Sequence, residues 1–125
     1  MTNELVINKI NYSCYNNKKL DLSGSDLRGM KFEHLKFKNV DFTDGDMRSA
    51  IFNFCTIENC KFDGTDMRGV KFDSCDIMES SLTEVNAKNV TVYQTTIVNT
   101  QVDETVDEME FLYSDIDGKD PNDKK

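Results

Sequence analysis

The sequence predicts an all-β solenoid of square coils, and two periods predict it. The first is five residues. From Leu20 to the end of the hundred, LDLSG SDLRG MKFEH LKFKN VDFTD and the blocks after them place an apolar residue third in every block: Leu22, Leu27, Phe32, Phe37, Phe42, Met47, Phe52, Ile57, Phe62, Met67, Phe72, Ile77, Leu82, Ala87, Val92 and Ile97. The first residue of each block is small or aliphatic. A period of five matches neither the 3.6 of a helix nor the 2 of a strand, so a stacked repeat is the economical explanation. The second period is twenty. Residues 23–34 (SGSDLRGMKFEH) align without gaps to 43–54 (TDGDMRSAIFNF), to 63–74 (DGTDMRGVKFDS) and, more weakly, to 83–94 (TEVNAKNVTVYQ).

Four blocks of five therefore make one coil, each block forming one side of a square. Coils that pair as strands do stack about 4.8 Å apart. Like residues then fall on like. Leu22, Phe42, Phe62, Leu82 and Val102 share one side, and Leu27, Met47, Met67 and Ala87 the next. Phe32, Phe52, Phe72 and Val92 share the third, and Phe37, Ile57, Ile77 and Ile97 the fourth. No coil can bury its own core, which is why about five are needed.

The pattern resembles the pentapeptide-repeat family, whose repeat is close to A-[D/N]-[L/F]-x-x, over roughly four-fifths of the chain in unbroken register. The resemblance implies a right-handed quadrilateral β-helix with third residues inward, first residues beside them and the other three positions in solvent. It also implies a function. Well-studied members resemble an acidic rod of duplex width and bind DNA gyrase and topoisomerase IV. Where members dimerise, the C-terminal end supplies the contact.

The rest of the chain is read around this frame. Ile7 and Tyr12 keep the register of Leu27 and Phe32, so residues 1–19 are expected to form a degenerate capping coil, with 20–105 as the regular β-helix. Residues 106–117, from Val106 to Asp117, form a short cap or dimerisation segment, in which Met109, Phe111, Leu112 and Tyr113 are the apolar candidates for a contact. Residues 118–125, GKDPNDKK, have no apolar side chain and are expected to fray. Met1–Ile10 contains Glu4 and no long apolar core, and no run approaches the ~20 residues of a membrane span, so the expectation is a cytoplasmic protein without a membrane partner.

Charge narrows the choice of partner. The formal net charge is −8, which argues against direct binding of nucleic acid. Residues 1–72 are near neutral at +1, whereas residues 73–125 carry −9. By the resemblance, Asp73, Asp76, Glu79, Glu84, Asp103, Glu104, Asp107, Glu108 and Glu110 are the candidates to stand in for phosphates. They would face the Arg and Lys of a DNA-processing enzyme such as DNA gyrase, or of a host nuclease or defence enzyme if the chain is phage-borne. The alternative, from a different class, is a rigid docking module without mimicry. It would use the apolar exceptions among outward positions: Ile51 and Phe54 on one segment, with Tyr93 two coils further on.

Chemistry is sparse. Asp26, Asp46 and Asp66 recur beside Arg28, Arg48, Arg68 and Lys88, which reads as turn-satisfying carboxylates neutralising a basic column. Cys55, Cys60 and Cys75 occupy first positions as core filler. No CxxC occurs, and His34, the single histidine, lies at an outward position, so neither a metal nor another cofactor is expected. A filled solenoid without insertions offers no cavity for catalysis.

Overall fold

A computed structural model describes residues 2–123. Helix α1 (Asn3–Tyr15) is followed by β1 (Leu20–Asp21), β2 (Lys31–Glu33), β3 (Lys36–Lys38), β4 (Val40–Asp41), β5 (Ile51–Asn53), β6 (Thr56–Glu58), β7 (Lys71–Asp73), β8 (Asp76–Met78), β9 (Ser81–Leu82), β10 (Thr91–Tyr93), β11 (Thr96–Val98), β12 (Gln101–Val102), a 3-10 helix (Glu104–Glu108), β13 (Glu110–Leu112) and β14 (Asp115–Ile116). All strand pairs are parallel, and through the regular coils the partners are twenty residues apart: Phe32 opposite Phe52, Phe52 opposite Phe72, Phe37 opposite Ile57 and Ile57 opposite Ile77. The chain is thus a four-sided β-solenoid of about five turns.

The sides are unequal. The third and fourth each carry a five-stranded sheet, in the orders β13-β10-β7-β5-β2 and β14-β11-β8-β6-β3. The first holds two short pairs, β1-β4 and β9-β12, joined through Lys61. The second is held by single bridges, Asp26 to Asp46 to Asp66 to Asn86. Every third-position residue from Leu22 to Ile97 is buried, and so is nearly every first-position residue from Met30 to Thr100. Aromatic rings stack at the coil spacing: Phe52 lies 4.9 Å from Phe72, and Phe42 lies 4.9 Å from Phe62. Each Phe buries ~150–250 Å², so these columns dominate the core.

The corners have one conformation. Every fifth residue from Gly24 to Asn99 has positive φ, whether glycine, asparagine or a larger side chain such as His34, Phe54, Glu79 or Gln94. A left-handed residue reverses the local direction of an otherwise extended chain, which is how five residues turn through a right angle. On the first two sides the turn is closed by a backbone bond, as from the Gly45 N–H to the Phe42 carbonyl at 2.9 Å.

Both ends differ from expectation. Residues 3–15 are an α-helix, not a degenerate coil. Thr2 caps its start, its side-chain oxygen accepting from the Leu5 N–H at 3.1 Å. Asn17, at φ 53°, closes it with the Lys18 N–H donating to Ser13 and the Asn17 N–H to Cys14. Val6, Ile10 and Ser13 face inward at helical spacing and cover the first coil, packing on β1 and β3. Tyr12, expected to align with Phe32 in the core, is instead exposed.

At the other end the solenoid continues for a further half coil with its register shortened by one. Val92 pairs with Phe111 and Ile97 with Ile116, nineteen residues apart. The 3-10 helix replaces the second side and accounts for the missing residue. Met109 and Phe111 are therefore core residues, at 7% and 5% exposure, and are not available as a dimer contact; Leu112 and Tyr113 do face outward. The segment expected to fray is tied down over 118–123. Ile116 bridges Lys119, and the Asn122 side chain donates to the Phe111 carbonyl at 2.8 Å. Lys124 and Lys125 lie outside the described residues.

Candidate interaction surfaces

On the second side, aspartate and arginine form a ladder. Each Arg is two residues after an Asp, and the turn aims both outward. Arg28 Nε and Nη2 donate to the two oxygens of Asp26 at 2.8 Å each, and Arg48 repeats this on Asp46 at 2.9 and 2.7 Å. Arg68 grips Asp66 in the same way. Between coils, Arg28 Nε lies 3.7 Å from Asp46 and Arg48 Nε 3.8 Å from Asp66. The forked bonds hold the Asp26 carboxyl down at about 2 and keep Asp46 and Asp66 below the ordinary carboxylate range. The basic column is thereby neutralised. In the last coil Asn86 replaces the aspartate and Lys88 the arginine, so the ladder stops there.

The nine acidic candidates do not gather on one face. Asp73 lies on the third side and Asp76 on the fourth, with Glu79 and Glu84 at the two corners bounding the first side. Glu104, Asp107 and Glu108 sit on the 3-10 helix and Glu110 on β13. Asp103 is a structural residue: it caps the 3-10 helix, accepting from the Thr105 N–H at 3.0 Å and, through its other oxygen, from the Glu84 N–H at 2.8 Å.

The acidic strip that runs along the axis is the first side, much of which the sequence reading passed over. Its outward columns and its corner place Asp21, Asp41, Asp44, Asp63, Glu84 and Asp103 in successive coils, with Lys61 among them and Lys19 lining the same groove as Asp21 and Asp41. Several also hold the backbone: the Asp41 side chain accepts from the Thr43 N–H at 2.9 Å, and Asp63 accepts from the Ser81 hydroxyl and from both donors of Thr83. Burial works against ionisation of Asp63, but those bonds outweigh it and keep its carboxyl below the usual value. Asp44 leans over Gly64 of the next coil, where a side chain would collide with its Oδ1.

The apolar candidates are brought together in part. Phe54 is 58% exposed, and its ring lies parallel to His34 of the preceding coil with centroids 5.1 Å apart. Ile51, at the start of the strand that leads into this corner, is half-buried. Tyr93 is two coils away and instead meets Tyr113 edge to face at 5.9 Å. The corner thus has two separate aromatic spots rather than one patch.

Reactive groups are withdrawn from solvent. Cys55, Cys60 and Cys75 are free and buried at 2% exposure or less. Burial pushes the Cys60 thiol up to about 12; the contact with Cys55, together with burial, pushes Cys75 up as well. Both stay protonated and poorly nucleophilic. Among the described residues no three His, Cys, Asp or Glu side chains are placed to hold a metal ion, and no helix is long and apolar enough to cross a membrane.

The parallel strands and the recurring left-handed corners define a square β-solenoid whose outward columns are polar ladders. The family model for pentapeptide repeats matches residues 19–53 and 50–91 in eight copies, and the chain belongs to the pentapeptide-repeat family. No curated protein matches it. Among solved structures it is similar to QnrB1, a plasmid-mediated fluoroquinolone resistance protein, in a trypsin-treated R167E form. The identity is 14% and the TM-score 0.50, over 81% of this chain and 60% of that one. It is also similar to a pentapeptide repeat protein from the Arabidopsis thaliana thylakoid lumen, at 16% identity and TM-score 0.39, over 76% of this chain and 57% of that one. A third is Rfr23 from the cyanobacterium Cyanothece 51142, at 11% identity and TM-score 0.40, over 89% and 95%. The chain thus spans less than two thirds of the length of the first and second of these. At such identities the likeness speaks for the fold alone.

Proposed function

We propose that the protein is a non-catalytic binding module that presents its acidic first side to a basic, DNA-binding protein in place of duplex DNA. The observation that carries this reading is the axial run Asp21, Asp41, Asp44, Asp63, Glu84 and Asp103. Four coil steps of ~4.8 Å make a strip ~19 Å long, so its six carboxylates lie on average about 4 Å apart along the axis. One strand of duplex DNA carries a phosphate about every 3.4 Å. The strip therefore approaches the charge density of one strand, with Lys61 offsetting one carboxylate. The neutralised second side and the mixed third and fourth sides make the binding one-sided. A DNA gyrase or another DNA-processing enzyme is the kind of target that fits.

The test is inhibition of gyrase supercoiling across a salt series. Inhibition should fall steeply with salt and be relieved by excess duplex. The double variant Asp44→Lys, Glu84→Lys reverses the two strip residues whose side chains hold no backbone group, and should lose roughly tenfold in inhibition while its circular dichroism stays unchanged. Inhibition equal to the parent's sinks the reading. A second reading is favoured by one observation, the exposed Phe54 ring on His34: a docking module anchored there would bind its partner equally at low and high salt and would lose binding in Phe54→Ala.

A further inference from the structure

The two ends of the solenoid carry opposite charge. The N-terminal end is closed by α1, whose outer surface exposes Leu5 (45%), Tyr12 (61%) and Tyr15 (91%). Lys9, Lys18 and Lys19 are exposed near Tyr12, and the Lys18 ammonium sits over the Tyr12 ring at 5.9 Å. A groove between the helix and β1 is lined by Lys9, Tyr12, Ser13, Lys18 and Leu20 among others. Amphipathic aromatic residues beside lysines form a surface that accepts carboxylates and apolar side chains together. Residues 2–19 carry three lysines against Glu4.

The C-terminal end is the complement. Residues 101–123 carry nine carboxylates and one lysine, and Leu112 and Tyr113 are exposed beside them at 41% and 83%. Glu104, Asp107, Glu108 and Glu110 are all exposed, and none of the ion pairs formed among the described residues involves them.

We propose that the chain self-associates head to tail. The basic, aromatic face of α1 in one copy docks on the acidic end formed by the 3-10 helix and β13 of a second copy. The contact is heterologous, the same two surfaces are left free at the ends of the pair, and association is open-ended. It is also weak. A side of five residues spans at most ~16 Å of backbone, so an end offers roughly 260 Å² per partner, below the size of a stable interface. The net charge of −8 on each copy opposes the contact further, so association appears only at high protein concentration and disappears when salt screens the facing charges.

Sedimentation velocity on the full chain from ~10 µM to ~1 mM, at low salt and in 0.5 M NaCl, tests this. The weight-average sedimentation coefficient should climb past that of a dimer at low salt and return to monomer at high salt. Carbodiimide coupling should join Lys9, Lys18 or Lys19 of one copy to Glu104, Asp107, Glu108 or Glu110 of another. Two charge swaps guard against misfolding as an explanation. Lys18→Glu, Lys19→Glu alone and Asp107→Lys, Glu108→Lys alone should each be monomeric, and an equimolar mixture should associate again. A chain that is monomeric throughout, cross-links that run only from Lys119 of one copy to the acidic end of another, or a mixture that stays monomeric overturns the proposal. Binding of α1 to anionic vesicles without any self-association does so too, because it makes a lipid surface the partner of that face.

Discussion

His34 and Phe54 sit one above the other at a corner of the solenoid, their rings 5.1 Å apart and within 7° of parallel, and both have left-handed backbone, at φ 55° and 54°. A non-glycine residue in that region costs ~1–2 kcal/mol, and a stacked ring pair returns ~0.5–1.5 kcal/mol. The two effects nearly cancel at Phe54. Gln94, at the same corner two coils on, has the strained backbone without a ring partner. Gln94→Gly should therefore stabilise the protein by ~0.5–1 kcal/mol, whereas Phe54→Gly should change it little. Urea unfolding measures both. Equal stabilisation by the two would mean that the ring stack contributes nothing.

Glycine corners are separable by what lies above them. Gly24 and Gly64 both have positive φ, but a Cβ at Gly24 meets nothing within 4 Å, while at Gly64 it meets Asp44 Oδ1. Gly24→Ala should cost only the backbone strain, ~1 kcal/mol. Gly64→Ala should cost measurably more, because Asp44 has to swing out of its place on the acidic side. Adding Asp44→Ala should bring the cost of Gly64→Ala down to that of Gly24→Ala, which a double-mutant cycle in urea would show.

The core was legible from Leu22 to Ile97 because each buried column repeats its chemistry every twenty residues. The corners were legible in part. Gly24, Gly29, Gly64 and Gly69, with Asn39, Asn59, Asn89 and Asn99, are types that tolerate left-handed backbone, and their spacing of five marks the turns. Phe54, Glu79 and Gln94 hide the signal, since tertiary context rather than propensity places them there. Helix α1 was missed because five and 3.6 share positions over a short span: Ile7 and Tyr12 fit the pentad, but Val6, Ile10 and Ser13 fit the helix and are the ones buried. The closing half coil was missed because a single absent residue moves Phe111 and Ile116 out of phase. The acidic side was obscured because its members fall at different places in their blocks, Asp21 and Asp41 second, Asp63 and Asp103 fourth, Asp44 and Glu84 fifth, and only stacking the coils shows them in line.

The aspartate ladder makes stability depend on acid in a defined window. Arg28, Arg48 and Arg68 stay protonated throughout, held further up by their aspartates. Asp26, Asp46 and Asp66 titrate lower when folded than the ~3.9 of an unfolded chain. Their contribution is therefore complete above about pH 4 and is lost as pH falls toward 2. The triple variant Asp26→Asn, Asp46→Asn, Asp66→Asn keeps an oxygen for the turn, as Asn86 does for the Lys88 N–H. Its melting temperature should be lower than the parent's at pH 7 and should fall less between pH 4 and pH 2. Parallel curves for the two proteins would show that the ladder is energetically silent.

Thiol accessibility tests the core directly. Cys14 is half-buried on α1, while Cys55, Cys60 and Cys75 are buried in the first-position columns, with their sulfurs donating to the Phe32, Phe37 and Phe52 carbonyls. A thiol reacts as thiolate, and a value near 12 leaves Cys60 a vanishing thiolate fraction at pH 8. An aromatic disulfide reagent should therefore titrate one thiol of the native protein within minutes and all four in denaturant. Because the three buried sulfurs belong to adjacent coils, they should become reactive together, at the rate of global unfolding, rather than one at a time. Separate release of Cys75 would show that the C-terminal coils open independently of the rest. Release of Cys14 and Cys55 at one common rate would instead tie α1 to the core as part of the same cooperative unit.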